Sequence, residues 1–231
     1  MTRSAAPGAI PAYDLGRVPY RAALAFQRRA VAVRARGEAP DVLYFAEHDP
    51  VVTIGRDGHL ENLRAAPAAF ARRGVDVVAV ERDGDAAYLG PGQVVGMPIV
   101  SLDGLPGGRD LPRYRRDLEE AILRAVASYG LRAARRSSAP GVWVGGTKIA
   151  ATGVAVRHGV AFHGFTLHVD PDPSHLALIH PCGLRLPGDA SLASLLGTAP
   201  PRVDVIARLA ESFAGVWGRP VLLPNEEPAH A

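Results

Sequence analysis

Residues 142–169 read Val-Trp-Val-Gly-Gly-Thr-Lys-Ile-Ala-Ala-Thr-Gly-Val-Ala-Val-Arg-His-Gly-Val-Ala-Phe-His-Gly-Phe-Thr-Leu-His-Val. Three runs, Val142 to Val144, Ile149 to Val156 and Val160 to Val169, are rich in β-branched and aromatic residues, partly alternate, and end at glycine. This pattern predicts three strands of an antiparallel meander, with Arg157-His158-Gly159 as a hairpin turn. Upstream, 41–46, 51–55, 75–82 and 93–100 read as further strands. Between these groups lie helical patterns. One runs from Tyr20 to Arg36 and stops at Gly37. A short one covers Pro67 to Arg73. A third starts at Asp110, an N-cap residue with Pro112 in the first turn, and continues to Gly130. A single turn is expected within 171–178, and a last helix from Val203 to Trp217 ends at Gly218. Groups of adjacent strands separated by helices indicate an α+β fold, a mixed, largely antiparallel sheet flanked by helices. Without internal repeats or a tether, residues 12–220 are expected to form a single domain, with 1–11 and 221–231 as loose ends.

The chain has 26 basic residues, and all but Lys148 are arginine; Cys182 is its one cysteine. A lone cysteine forms no internal disulfide, so an oxidising compartment is not implied. The N-terminal residues lack a signal-type apolar run, and no stretch approaches the roughly 20 apolar residues of a membrane helix. These features point to the cytoplasm, away from membranes. Net charge is only +3 and aromatics are 6%, with no basic tract interleaved with aromatics, which argues against nucleic acid as a partner. A mild positive surplus suits an acidic protein partner.

Three segments concentrate glycine where chemistry would need it. The loop Glu81-Arg-Asp-Gly-Asp-Ala-Ala-Tyr-Leu-Gly-Pro-Gly-Gln93 has the backbone freedom of a ligand grip, and Arg82 could hold an anion in bidentate fashion. It lacks the Gly-Lys-Ser/Thr of a nucleotide loop, so no nucleotide cofactor is expected. In Gly145-Gly-Thr-Lys-Ile-Ala-Ala-Thr-Gly153, alternation places Lys148 opposite Ile149, so a core-facing Ile149 leaves Lys148 facing a cleft. In His180-Pro-Cys-Gly183, a turn presents the sulfur of Cys182 instead of packing it, and a nearby ammonium favours its reactive thiolate form. His158, His163 and His168 recur at an odd spacing that puts neighbours on opposite strand faces, so no metal site is expected; His163 reads as a hydrogen-bonding residue near the cleft.

Taken together, these segments resemble the octanoyl-[acyl-carrier-protein]:protein octanoyltransferase (lipoyl/octanoyl transferase) family, whose fold is related to the biotin and lipoate protein ligase catalytic domain. The likeness runs from Tyr13-Asp-Leu-Gly to about Gly218. Glu47-His-Asp-Pro-Val-Val-Thr-Ile-Gly-Arg56 resembles the family's early strand pair. Arg82 to Gln93 resembles its Arg-Gly-Gly-x-x-Thr-Tyr-His-Gly-Pro-Gly-Gln loop, and Lys148-Ile-Ala-Ala-Thr-Gly, His163-Gly164 and Pro181-Cys-Gly183 follow in family order. The resemblance implies that Cys182 is the acyl-thioester nucleophile and that Lys148 lowers its pKa. It implies a substrate loop of Arg82, Asp83, Gly84, Asp85, Ala86, Ala87, Tyr88 and Leu89, and acyl-binding segments Ala151, Thr152, Gly153 and Gly164, Phe165, Thr166. It further implies an acylated acyl carrier protein as donor. The implied acceptors are lipoyl domains of 2-oxoacid dehydrogenase complexes or the glycine cleavage H protein.

The chain departs from the family pattern at Asp83 (glycine there), Ala87 (threonine), Leu89 (histidine), Thr166 (alanine) and His168 (asparagine); losing both the threonine and the histidine strips hydrogen-bonding groups from the expected pocket. Pocket walls are expected from Ile149 or Val154, and oxyanion donors from backbone N–H groups around Cys182 and Gly183. Two other functions fit the scaffold. One is an ATP-dependent lipoate or biotin ligase, which would not need Cys182. The other is a divergent acyl-binding protein with weak or shifted activity.

Overall fold

The computed structural model describes residues 8–65, 67–136, 139–179 and 190–223. In chain order the elements are β1 (Ile10–Val18), α1 (Tyr20–Ala35), β2 (Val42–His48), β3 (Val51–Ile54), α2 (Pro67–Ala71), β4 (Asp76–Ala79), β5 (Ala86–Leu89), β6 (Gln93–Ser101), α3 (Leu111–Ala127), β7 (Ala133–Arg136), β8 (Ala139–Val144), β9 (Thr147–Arg157), β10 (Val160–His168), α4 (Pro173–Leu176), α5 (Leu192–Leu196), α6 (Arg202–Trp217) and β11 (Val221–Leu222). The meander of β8, β9 and β10 is antiparallel throughout. Its hairpin closes through His158 (φ 51) and Gly159 (φ 77), both left-handed, as a two-residue turn matched to strand twist requires.

These strands belong to a sheet of order β11-β1-β2-β6-β10-β9-β8-β7, while β4-β3-β5 form a second, smaller sheet. The large sheet is parallel only at the β11-β1 and β1-β2 pairs, so the α+β expectation holds. On one face, α3 and α6 bury Leu118, Ile122, Phe213 and Trp217 against β-strand residues such as Leu43, Ile149 and Phe165. On the other face, α1 buries Leu24 with Val95 and Met97, and Val31 with Ile99 and Phe162. Helix ends follow local chemistry: Asp110 Oδ1 accepts from Arg113 N–H (2.9 Å), and α6 stops at left-handed Gly218.

The expected loose ends need correction. Ile10 and Pro11 lie in β1 and pair with Val221 and Leu222 of β11. Ile10 is fully buried in the main core. The proline- and glycine-rich composition around them hides a strand whose stability comes from burial, not from local propensity. The runs at 41–46 and 51–55 are strands as expected, yet Asp49-Pro50 carries the chain from one sheet to the other, so β2 and β3 do not pair. Strands β5 and β7 and helix α5 are short elements that the hydrophobic pattern does not announce.

Candidate active site

Lys148 and Ile149 sit at a β-bulge. Trp143 of β8 faces Lys148 of β9, and Val142 faces Ala150, so Ile149 has no partner of its own. The extra residue re-aims the side chains before it. Ile149 enters the main core, and Lys148 enters a cleft on the opposite side while remaining only 4% exposed.

The cleft lies between the 82–88 segment, which leads into and forms much of β5, and the strands β9 and β10. An outer cavity of ≈ 180 Å³ is lined by Arg82, Asp83, Gly84, Asp85, Ala86, Ala87 and Tyr88 on one side and by Lys148, Ala151, Thr152 and His168 on the other. An inner cavity of ≈ 50 Å³ shares Arg82, Ala87, Ala151 and Thr152 with it and adds Leu89, Gly153, Gly164, Phe165 and Thr166, together with Val95 and Met97. Lys148 and every residue of the expected substrate loop and acyl-binding segments therefore line one of two adjoining cavities. Cys182 lies outside the described residues, as do Pro181 and Gly183. The described residues on either side of that segment are at the cleft. Ile179 lines the outer cavity and bridges to Leu63. Ala190 donates its N–H to Lys148 O (2.8 Å), and its carbonyl meets His168 Nδ1 (3.1 Å).

The predicted wall residues Ile149 and Val154 are both in the main core instead. Arg82 is not an open anion clamp either. Its Nη2 donates to Thr53 O (2.9 Å) and Thr53 Oγ1 (2.8 Å), and Nη1 donates to Asp83 O (2.9 Å). Its stem lies so close to β9 that a Cβ at Gly153 would stand 2.8 Å from Arg82 Cδ. Arg82 thus braces the loop against the strand. Asp83 extends the brace. Its N–H donates to Val154 O (2.9 Å), its Oδ1 accepts from Val154 N–H (2.7 Å), and its Oδ2 pairs with Arg115 of α3. Asp57 accepts from Gly84 N–H (2.8 Å), and Asp85 accepts from His59 N–H and Asn62 Nδ2. The acidic residues of this loop are occupied in holding its shape.

Tyr88 turns toward α4, where its O–H meets His175 Nδ1 at 2.9 Å. Burial pushes the phenol pKa up to about 12, so the group stays protonated. Leu89 gives the inner cavity an apolar wall beside Val95, Met97 and Phe165.

The far end of the inner cavity is polar. Opposite β10, the central strand β6 carries Pro98, which has no N–H to donate. The β6-β10 ladder runs through Ala161↔Val100, resumes at Phe165↔Gly96, and between these points β10 adopts left-handed φ at His163 (62°) and Gly164 (138°). The freed His163 N–H is taken by Gln27 Oε1 of α1 (2.9 Å). The His163 ring is buried, with Nε2 3.8 Å from Glu81 Oε2, and among the described residues Nε2 has no hydrogen-bond partner. His48 lines the same end; its Nδ1 donates to Val18 O (2.9 Å), leaving Nε2 as an acceptor without a partner.

Burial pulls the His163 pKa down from 6.5 to about 4, against the opposing pull of Glu81. His48 shifts the same way, again through burial. A histidine whose folded pKa is depressed binds its proton more readily in the unfolded chain. Its contribution to stability is therefore complete above 6.5 and is lost as pH falls toward 4. For His163 this amounts to roughly 3 kcal/mol. The parent protein's melting temperature should decline between pH 6.5 and 4, and His163→Asn, which tolerates positive φ, should flatten that decline. An unaltered decline in the variant would contradict this account.

Sequence reading missed several residues at the site: Trp143, Arg115, Thr53, Gln27, Tyr20 and His48. For Trp143 a signal existed, since alternation puts it on the non-core face between Val142 and Val144, beside the only lysine. Gln27 and Arg115 carry no local signal, because each reaches the site from a helix remote in sequence.

The sequence profile of the lipoyl protein ligase A/B catalytic domain matches residues 19–214. An octanoyltransferase of Chloroflexus aggregans is 43% identical over 213 residues, covering 90% of this chain and 96% of its own. Among solved structures, lipoate-protein ligase A bound with ATP superposes with a TM-score of 0.73 at 18% identity, over 96% of this chain and 90% of that one. A bi-partite lipoate protein ligase of Thermoplasma acidophilum, described together with its E2 lipoyl domain, gives 0.72 at 16% identity over 96% and 88%. The two structural likenesses speak for the fold, and the profile and the sequence identity for descent: this chain belongs to the lipoyl protein ligase A/B catalytic domain family, with octanoyltransferases as its sequence relatives.

Proposed function

We infer that this protein is an octanoyltransferase that acts through a cysteine thioester, as a single catalytic domain working in the cytoplasm. The observation that carries the reading is the chain's one lysine, held on the floor of a cleft that adjoins an apolar-walled cavity, with Ile179 and Ala190 bordering it on either side of the Cys182 segment. Octanoyltransferase relatives at 43% identity support the reaction class. Lipoyl domains as acceptors are supported by a structural neighbour described with its E2 lipoyl domain.

The Cys182 thiolate attacks the octanoyl thioester of an acylated acyl carrier protein. A new thioester forms on the enzyme, and the carrier leaves as its thiolate, which takes up the proton that the Lys148 ammonium releases before the second step. The ε-amine of a lipoyl-domain lysine, from a 2-oxoacid dehydrogenase complex or the glycine cleavage H protein, then attacks the acyl-enzyme. An amide forms and the Cys182 thiolate is regenerated. Lys148 favours the thiolate as ammonium in the first step, and as amine accepts the proton that the attacking lysine must shed in the second. The acyl chain lies along Ala151, Thr152 and Gly153 and enters the inner cavity beside Gly164, Phe165 and Thr166, with Leu89 as its opposite wall. Residues 82–88 cover it from above. The acyl group arrives activated, so no nucleotide enters the scheme.

Mixing the protein with octanoyl-acyl carrier protein and measuring intact mass tests this. One octanoyl group should add covalently, be released by neutral hydroxylamine as a thioester is, and fail to appear in Cys182→Ala. A protein that binds acyl carrier without gaining mass would be an acyl-binding protein, and the transferase reading would be wrong.

A further inference from the structure

Trp143 is only 2% exposed, yet among the described residues it joins none of the hydrophobic clusters. Val142 and Val144 on either side face the main core, so alternation along β8 sends the indole to the opposite face. There it stands directly across from Lys148 in the β8-β9 ladder. The Lys148 ammonium lies over the ring, 5.0 Å from its centroid. The Arg136 guanidinium of β7 also lies over it, at 4.5 Å. The ring is held from its edge, since Nε1 donates to Ala139 O of the same strand (3.1 Å). The bulge at Ile149 is what makes the pairing possible. In an unbroken ladder Lys148 would share a face with Ala150 and Val154, both of which are in the core.

We propose that Trp143 is a positioning residue for Lys148, its indole face helping to seat the ammonium in the outer cavity. The proposal rests on the role given to Lys148 above. A lysine has four rotatable side-chain bonds and a strongly hydrated head, so burial alone does not define where its nitrogen sits. An indole face offers a negative electrostatic surface to a cation, and the attraction grows when water is excluded, as it is here. Arg136 on the same ring cannot replace Lys148 chemically, because it does not give up its proton.

The test separates ring electrostatics from ring packing. Site-specific incorporation of mono-, di-, tri- and tetrafluoro-tryptophan at position 143 withdraws electron density from the ring in steps with little change in shape. The acylation rate of Cys182 by octanoyl-acyl carrier protein, measured in single turnover, should fall stepwise, by about tenfold across the series. The KM for the carrier and the melting temperature should stay level. A flat rate across the series, with Lys148→Arg inactive, would remove Trp143 from the mechanism while leaving Lys148 in it. A rate that falls only in parallel with melting temperature would make the ring a packing element and overturn the proposal. Full activity in Lys148→Arg would sink the role of Lys148 itself, and that of Trp143 with it.

Discussion

Lys148→Arg should fold like the parent protein and lose at least about 100-fold in kcat for octanoyl transfer, the lower range for removal of a general acid–base group. The substitution preserves positive charge, so a purely electrostatic contribution to the Cys182 thiolate would survive it. What it removes is the capacity to take up a proton from the incoming amine, since arginine stays charged. The position is 4% exposed, and a larger head group there costs on the order of 1–3 kcal/mol of packing strain. The rate should therefore be read beside a melting curve. A variant that melts within a few degrees of the parent yet transfers octanoate to a lipoyl domain at the parental rate would exclude Lys148 from proton transfer. The single-turnover acylation step should suffer less than the amide-forming step, because only the second requires the nitrogen as a base.

Gly164→Ala should be the most damaging single methyl group in the sheet. The residue has φ 138, a region that side chains rarely enter, and the new Cβ would overlap Gly96 O and stand 2.6 Å from Pro98 Cδ. Both obstacles are on β6, a central strand whose backbone has little room to retreat. The expected loss is about 3 kcal/mol or more, which for a protein of this size lowers the melting temperature by about 10 °C. Gly74→Ala provides the control, for Gly74 also has positive φ (67°) but has nothing within 4 Å of its would-be Cβ. It should cost only the left-handed penalty of about 1 kcal/mol. Equal losses in the two variants would mean that the close approach of β10 to β6 is not what requires glycine at 164. Because Gly164 also lines the inner cavity, acyl transfer should fall in the surviving folded fraction as well.

The legible parts of this protein are those whose signals are local. Helix α3 is announced by Asp110 and Pro112, α6 by its stop at Gly218, and the β9-β10 hairpin by His158-Gly159; all three are where the chain's local chemistry puts them. The site loop was legible in its residues but not in its form. Ala86–Leu89 is a strand, and Arg82 and Asp83 are braces against Thr53, Val154 and Arg115 where an open ligand grip was expected. Strand β1 was hidden because its stability comes from pairing with β2 and β11 and from burial of Ile10 and Ala12, none of which its own composition foretells. The bulge at Ile149 was equally hidden. Simple alternation correctly separated Lys148 from Ile149, but the pocket wall expected from Ile149 or Val154 is made by Ala151, Thr152 and Gly153, while both expected residues are in the core.

By itself the amino-acid order determined where α3 begins and α6 ends, where the β9-β10 hairpin reverses, and which rare side chains, one lysine and one cysteine, are chemically out of keeping with the rest. Tertiary structure alone decided what each buried face meets. Gln27 accepts from His163 across 136 positions, and Asp83 accepts from Val154 across 71. Periodicity along a chain encodes the direction in which a side chain points, but the partner it finds there depends on how remote segments pack. That is a property of the sheet order and of a single inserted residue in β9, not of any local window.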